Sequence, residues 1–318
     1  MGAEGIMKPR VYIDGKEGTT GLQIYDRLAA RSDIDLLLID GDRRKDPIER
    51  KKLMDAADIV FLCLPDAAAI EAVGLIESPT TRVIDASTAH RTAAGWDYGF
   101  PELSLTHRAN IRESRRVANP GCHATGFISC VYPLVAMGVL PRDYPLTCCS
   151  LTGYSGGGKK MIAQYEAPDK GEALYSPRIY GLNLQHKHLP EMQKICGLTR
   201  PPVFCPIVDD YYKGMATTIS LHNDLLVCDK SARAVWETLA DYYQDQTLVK
   251  VAPFGWSEPM IAANTMAGKD SLTLIVNGNE THTTVTALFD NLGKGASGAA
   301  VQNMNLMLGL PETEGLAI

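Results

Sequence analysis

The sequence predicts an α/β protein in which a Rossmann-like, doubly wound parallel sheet is followed by an α+β half with a mostly antiparallel sheet. Three observations carry this. Short apolar runs alternate with helical patterns from Arg10 to Asp85. A glycine-rich turn separates the first run from the first helix. From Thr147 onward, strand-like segments dominate, with apolar and polar residues alternating most clearly in Thr281 to Phe289.

Arg10 to Asp14 reads as the first strand, and Leu22, Ile24, Tyr25 and Leu28 mark the helix after it. Asp35 to Ile39 is an apolar strand of the kind buried on both faces of a parallel sheet. Pro47 opens a charged helix, with Ile48, Leu53 and Met54 expected on one face. Asp58 to Leu64 is a third strand, Ala67 to Ile76 a helix and Arg82 to Asp85 a fourth strand. Repeated strand–helix–strand units require right-handed crossovers and hence a parallel sheet. In the second half, Thr147 to Thr152, Val203 to Ile207, Met215 to His222, Ser271 to Val276 and Thr281 to Phe289 are expected strands. Ser231 to Tyr243 is a helix capped by Ser231 or Asp229, and Ala296 to Leu310 is an apolar terminal helix. The boundary between the halves falls beside Pro120-Gly121. A first domain of residues 7–121, rejoined by a C-terminal helix within 296–318, precedes a catalytic and dimerisation domain of residues 122–295.

Composition narrows the function classes. The chain has 318 residues, 45% of them hydrophobic, and a net charge of -6, which argues against a nucleic acid or an acidic membrane as partner. No apolar run reaches the roughly 20 residues of a membrane span. Met1 to Arg10 contains no apolar signal segment, and Ile6 stands where a myristoylation motif needs Ser or Thr. Met1 to Ile6 is read as a leader. The eight cysteines are scattered without a CxxC pair, so a reducing cytoplasm is the expected setting. Cys148-Cys149 with His186 and His188 matches no metal-ligand spacing, and no metal is expected.

Three segments carry chemistry. In Asn119-Pro120-Gly121-Cys122-His123-Ala124-Thr125, the Pro-Gly turn places Cys122 in the first turn of the next helix. Free N–H groups and the helix dipole there favour an anion, so the thiol is expected to lose its proton readily and act as a nucleophile. Gly15, Gly18 and Gly21 are spaced to let a backbone approach a dinucleotide pyrophosphate, with Thr19 and Thr20 as hydroxyl donors. Glu17, in the same loop, is expected to point away from phosphate. Asp40 at the end of the second strand suits NAD, whereas Arg43-Arg44-Lys45 suits the 2′-phosphate of NADP(H); three consecutive cations favour NADP(H), with Arg43 and Arg44 as ligands. Finally, Gln185-His186-Lys187-His188-Leu189-Pro190-Glu191 supplies imidazoles for proton transfer and a carboxylate to orient one.

These residues resemble the short form of the N-acetyl-gamma-glutamyl-phosphate reductase family, which has a semialdehyde-dehydrogenase-like fold. The resemblance runs over nearly the whole chain. It includes the glycine loop, Leu64-Pro65, Asp85-Ala86-Ser87, Tyr98 to Glu102, Asn119 to Cys122, Ser155 to Lys159, His186 to Glu191 and Asp290 to Ala296. The loop reads Gly-Lys-Glu-Gly, and His123 follows the nucleophile where Tyr is frequent. The resemblance implies that Cys122 attacks an acyl phosphate, phosphate leaves, and NADPH reduces the resulting thioester to an N-acetyl-glutamate 5-semialdehyde, a step of arginine biosynthesis. It makes His188 the general acid/base with Glu191 as its orienter; His186 is the alternative, or a residue near the nicotinamide, and is counted with the substrate site. Pro65, Ser87, Asn291 and Lys294 would join the cofactor site, and Asn119, Ser155 and Gly157 the substrate site. Arg91, Lys159 and Arg178 are candidate clamps for the substrate's phosphate and carboxylate. A homo-oligomer, dimer or tetramer, is expected. The competing readings are aspartate-semialdehyde dehydrogenase, the amino-adipyl phosphate reductase of lysine synthesis, and a non-catalytic NADP-binding regulator.

Overall fold

The structure, a computed structural model, describes residues 7–227 and 229–318. Met1 to Ile6 and Cys228 lie outside the described residues.

The first half builds sheet A from β1 (Arg10–Asp14), β2 (Asp35–Leu37), β3 (Ile59–Leu62), β4 (Arg82–Asp85), β5 (Asp97–Tyr98) and β6 (Arg116–Ala118). All pairings are parallel, in the order β2-β1-β3-β4-β6-β5. Alternation along each strand feeds two cores. Val11, Ile13, Ile59 and Phe61 face α1 (Thr19–Ala29), α4 (Leu105–Glu113) and the last helix. Tyr12, Val60 and Leu62 face α2 (Pro47–Ala56) and α3 (Asp66–Leu75). The chain leaves β1 toward one side of the sheet and returns to the other at β3. The carboxyl ends of those two strands therefore flank a crevice, the usual ligand position in an open α/β sheet.

Two expectations change here. β2 ends at Leu37 and is half-exposed, because it is an edge strand with only β1 beside it. Ile48 is 76% exposed while Met54 is buried. Five residues of helix turn by about 500°, which puts Ile48 well off the face of Leu53.

α5 (Cys122–Ala136) starts just after β6 and runs along the inner face of sheet B, with eleven of its fifteen residues buried. That sheet contains β7 (Thr147–Gly153), β8 (Arg178–Ile179), β9 (Val203–Asp209), β10 (Met215–His222), β11 (Val249–Val251), β12 (Leu272–Gly278) and β13 (His282–Phe289), ordered β11-β12-β13-β10-β7-β9-β8. Four of its six pairings are antiparallel; β7–β9 and β11–β12 are parallel. α6 (Gly158–Tyr165) and α7 (Leu189–Ile195) follow β7 and β8, and α8 (Ala232–Tyr243) is capped by Ser231, whose hydroxyl accepts from Ala234 N–H. Cys148 points into the core and Cys149 out, as strand alternation demands.

The chain then crosses back. A π-helical turn at Gly293–Ser297 runs into α9 (Gly298–Leu308), which ends at Gly309 and packs against α1, α4 and β4 of sheet A. The terminal helix thus stops short of the expected Leu310, and residues beyond it are turns.

Candidate active site

Cys122 is the first residue of α5. Gly121 precedes it and supplies no side-chain cap at the helix start, and the His123 N–H meets the Cys122 sulfur. A cavity of about 490 Å³ lies there, bordered by Gly18, Thr19 and Thr20 of α1, by Asn119 to His123, by Ser155 to Gly158 and by Tyr180 and His186 to His188. Both halves of the chain build it.

Gly121 is required by crowding: a methyl group in its place would overlap Arg91 Nη1, His188 Nε2 and Glu191 Oε1. Those three side chains meet behind the nucleophile. Glu191 is buried and fully occupied: Oε1 accepts from Arg91 Nη1 at 2.8 Å, while Oε2 accepts from the Tyr98 hydroxyl at 2.8 Å and from Gly121 N–H at 3.2 Å. Arg91 also donates to the carbonyls of Asn119 and Ala86. Glu191 Oε1 is 4.0 Å from His188 Nε2, beyond hydrogen-bond reach, so the carboxylate holds Arg91 and the Cys122 loop instead of orienting the imidazole. His188 is 5% exposed and its Nδ1 has no hydrogen-bond partner.

The electrostatics run against one expectation. Burial raises the Cys122 thiol above its ordinary value, and this outweighs Arg91 and the His123 N–H, which favour the thiolate. Desolvation wins over the helix terminus. Burial also drives His188 well below its ordinary range, with Arg91 adding to the effect, and takes His186 down to about 4. At neutral pH the resting cluster is therefore a neutral thiol beside neutral imidazoles.

A second cavity of about 700 Å³ opens at the other side of Leu64, which borders both. Gly15, Lys16, Leu38, Ile39, Gly41, Arg44, Lys45 and Arg50 line it. Gly15 has φ +85°, and a side chain there would strike the Cys63 carbonyl. Glu17, expected to point away from phosphate, is exposed and borders this cavity. The two cavities together suit an extended dinucleotide. The α1 N-terminus is uncapped by any side chain and has no acid in its first turn, which fits a pyrophosphate at Gly18, Thr19 and Thr20.

Several expected site residues stand elsewhere. Arg43 turns away from this cavity to pair with Glu49 at 2.9 Å, and Lys45 borders it instead. Lys159 reaches the second cavity and does not border the first. Arg178 borders neither and donates to the Tyr165 hydroxyl. Lys294 is buried, held at 2.6 Å by both Glu102 and Gln302. Ser87 donates to Asp85, Pro65 is the N-cap of α3, and Gly21 is packed against Gly15; none of the three borders either of these two cavities. Asn119 and Asn291 do border the first cavity; Asn119 spends its amide on Ala296 O and Asn303, and Asn291 donates to Ser155. Tyr180, Lys187 and Tyr98 were not singled out from sequence. Lys187 lay inside the histidine motif and Tyr98 inside the Tyr98 to Glu102 segment, each without a role, whereas nothing local marks Tyr180.

Comparison with known proteins gives two family matches. Residues 39–112 match the semialdehyde dehydrogenase NAD binding domain, and residues 122–291 match the semialdehyde dehydrogenase dimerisation domain. An N-acetyl-gamma-glutamyl-phosphate reductase 2 of Nostoc sp. is 46% identical over 97% of this chain and 99% of its own. The N-acetyl-gamma-glutamyl-phosphate reductase of Brucella ovis is 48% identical over 95% of this chain and 100% of its own. Among solved structures, aspartate semialdehyde dehydrogenase II of Vibrio cholerae superposes with a TM-score of 0.74 at 15% identity, covering 96% of this chain and 99% of that one. The NADP-bound aspartate semialdehyde dehydrogenase of Candida albicans gives 0.65 at 13%, covering 95% and 99%.

Proposed function

This chain belongs to the N-acetyl-gamma-glutamyl-phosphate reductase family of semialdehyde dehydrogenases, and from that premise we propose that Cys122 carries the acyl group during reduction of N-acetyl-gamma-glutamyl phosphate to N-acetyl-glutamate 5-semialdehyde. The protein is an oxidoreductase of arginine biosynthesis that uses a nicotinamide cofactor. The observation that carries the nucleophile is the position of Cys122 at the open start of α5, in one cavity with His188.

His188, neutral and bordering one cavity with Cys122, takes the Cys122 proton as the sulfur attacks the acyl carbon. The carbon–oxygen bond to phosphate breaks, and His188 passes its proton to the departing phosphate oxygen. A thioester remains on Cys122, weakly resonance-stabilised and open to reduction. Gly18, Thr19 and Thr20 would hold the pyrophosphate of a nicotinamide cofactor, which when bound would supply the hydride. N–H groups at the uncapped start of α5 would stabilise the negative charge on the carbonyl oxygen. When the carbonyl re-forms, the carbon–sulfur bond breaks and the thiolate recovers a proton from solvent. Exposed Lys187, beside both histidines, attracts the anionic substrate; Arg91, tied to Glu191, positions the loop.

NADP(H) is the proposed cofactor, because Arg44 and Lys45 border the second cavity and can meet a 2′-phosphate. A homodimer is proposed through the outer face of sheet B, where Thr147, Cys149, Val203, Cys205, Thr218, Ser220, Thr284 and Thr286 stand side by side without charge. Among the described residues no helix is long and apolar enough to cross a membrane.

The test is phosphate-dependent oxidation in the reverse direction, comparing N-acetyl-glutamate 5-semialdehyde with aspartate semialdehyde and NADP with NAD. Preference for the acetylated aldehyde and NADP is expected; preference for aspartate semialdehyde would overturn the substrate assignment.

A further inference from the structure

A line of four buried or half-buried polar groups runs from the inner face of sheet B to the cleft. Thr217 Oγ1 lies 2.7 Å from Ser150 Oγ, its in-register neighbour across β10 and β7. Ser150 Oγ lies 2.7 Å from His123 Nδ1, and His123 Nε2 lies 2.6 Å from the Tyr180 hydroxyl. Tyr180 borders the cavity with Cys122, and burial, with Cys122 adding to it, pushes its phenol up. Gly126 of α5 lets Thr217 sit this close, since a methyl group at Gly126 would overlap Thr217 Oγ1.

The hydrogens along this line have one satisfactory order. Burial keeps His123 neutral, so its ring carries one N–H. If Tyr180 donated to His123, the chain would run inward and end on Thr217, whose hydroxyl has no acceptor other than Ser150 among the described residues and is fully buried. An unmet buried donor costs about 1–3 kcal/mol. In the opposite order Thr217 donates to Ser150, Ser150 to His123 Nδ1, and His123 Nε2–H to Tyr180. Every buried donor is then satisfied, and the last hydrogen, on Tyr180, is left for the cleft.

We propose that Tyr180 donates this hydrogen bond to the oxygen of the acyl group held on Cys122, and that His123 is the positioning residue that keeps the Tyr180 hydroxyl a donor. The proposal rests on the nucleophile reading of Cys122. It adds a side-chain donor to the backbone N–H groups of α5, on the wall of the cavity formed by sheet B. His123, which directly follows the nucleophile, thereby acts through Tyr180 and not on the substrate.

The experiment uses the full chain and steady-state kinetics in both directions. Tyr180→Phe should lower kcat by about 10²-fold, the scale of losing one oxyanion donor, with KM little changed. His123→Phe should do the same, and the double variant should be no slower than Tyr180→Phe alone, because His123 works only through that hydroxyl. His123→Gln, whose amide can still donate to Tyr180, should recover part of the rate. Should His123→Phe fail to fold, Ser150→Ala interrupts the same line and should give a partial loss. An undiminished kcat in Tyr180→Phe, or losses that multiply in the double variant, overturns the proposal. Parallel assay of Cys122→Ser separates the two readings. If it is inactive while Tyr180→Phe is unimpaired, only the hydroxyl assignment falls; if it turns over, both fall.

Discussion

Glu191 lies 2.8 Å from Arg91 and 4.0 Å from His188, so its charge belongs to the guanidinium. The carboxylate reaches the chemistry only through the loop it ties down, by its bonds to Gly121 N–H and Tyr98. Replacing it leaves Arg91 buried without its counter-ion. Glu191→Ala should therefore destabilise the fold by roughly 3–5 kcal/mol, the usual cost of breaking one side of a buried pair. Denaturant unfolding checks this; a change below about 1 kcal/mol would show that Arg91 finds another partner.

Removing the nucleophile separates binding from chemistry. Cys122→Ser should lose turnover while fluorescence titration still reports cofactor binding, since the second cavity does not involve the sulfur. Retained turnover would exclude a covalent route.

The two imidazoles should differ. His188→Asn should slow the reaction by roughly 10²–10⁴-fold, the range for a lost proton-transfer group. His186→Asn should cost less, because His186 Nδ1 accepts from the His188 backbone N–H and so is partly structural. A larger effect at His186 would exchange the roles.

Acid should weaken the fold. His123, His186 and His188 all have folded-state pKa values below the ordinary imidazole value, so the unfolded chain binds more protons once pH drops below about 6.5. Their contribution to stability is complete above that pH and is lost as pH falls through the lowered folded values, which burial takes to about 4 for His186 and well below the ordinary range for His123 and His188. Each such group adds a slope of up to about 1.4 kcal/mol per pH unit. Urea unfolding between pH 7 and pH 4.5 measures the slope, and His188→Asn should flatten it. For Cys122 the sign is opposite in effect: its raised pKa means slow alkylation by iodoacetamide at pH 7, with a rate still climbing beyond pH 9.

Cofactor choice should follow Arg44 and Lys45. Replacing both with Ala should weaken NADPH binding by at least about tenfold, since each charge-assisted bond is worth roughly 1.5–3 kcal/mol, and leave NADH binding nearly unchanged. Arg43→Ala should leave both untouched, because Arg43 is spent on Asp46 and Glu49. Equal weakening of NADH would remove the 2′-phosphate assignment.

What the sequence made legible was whatever is encoded locally. β1, β4 and β10 match their expected bounds, and Cys122 opens a helix as the Pro-Gly turn requires. Facts set by tertiary packing were not readable. No local pattern tells that β2 is an edge strand, that Arg178 turns to Tyr165, or that Lys294 is buried against Glu102. The thiol misled for the same reason: a helix start is visible in sequence, while the burial that outweighs it is not. Tyr180 stood outside every motif and meets His123 only because β8 pairs with β9 at the sheet edge.

The return of α9 to sheet A has a consequence for synthesis. Its side chains Asn303 and Asn305 bind Gly99, Asn119 and Arg31, made between 184 and 274 residues earlier. A ribosome thus releases the strands of sheet A long before the helix that covers one face of them, while sheet B can close beforehand. The face of sheet A that α9 covers must wait, partly uncovered, while residues 119–297 are made. Folding should accordingly show a late, slow phase confined to that half, with sheet B protected first, in keeping with contacts so distant along the chain.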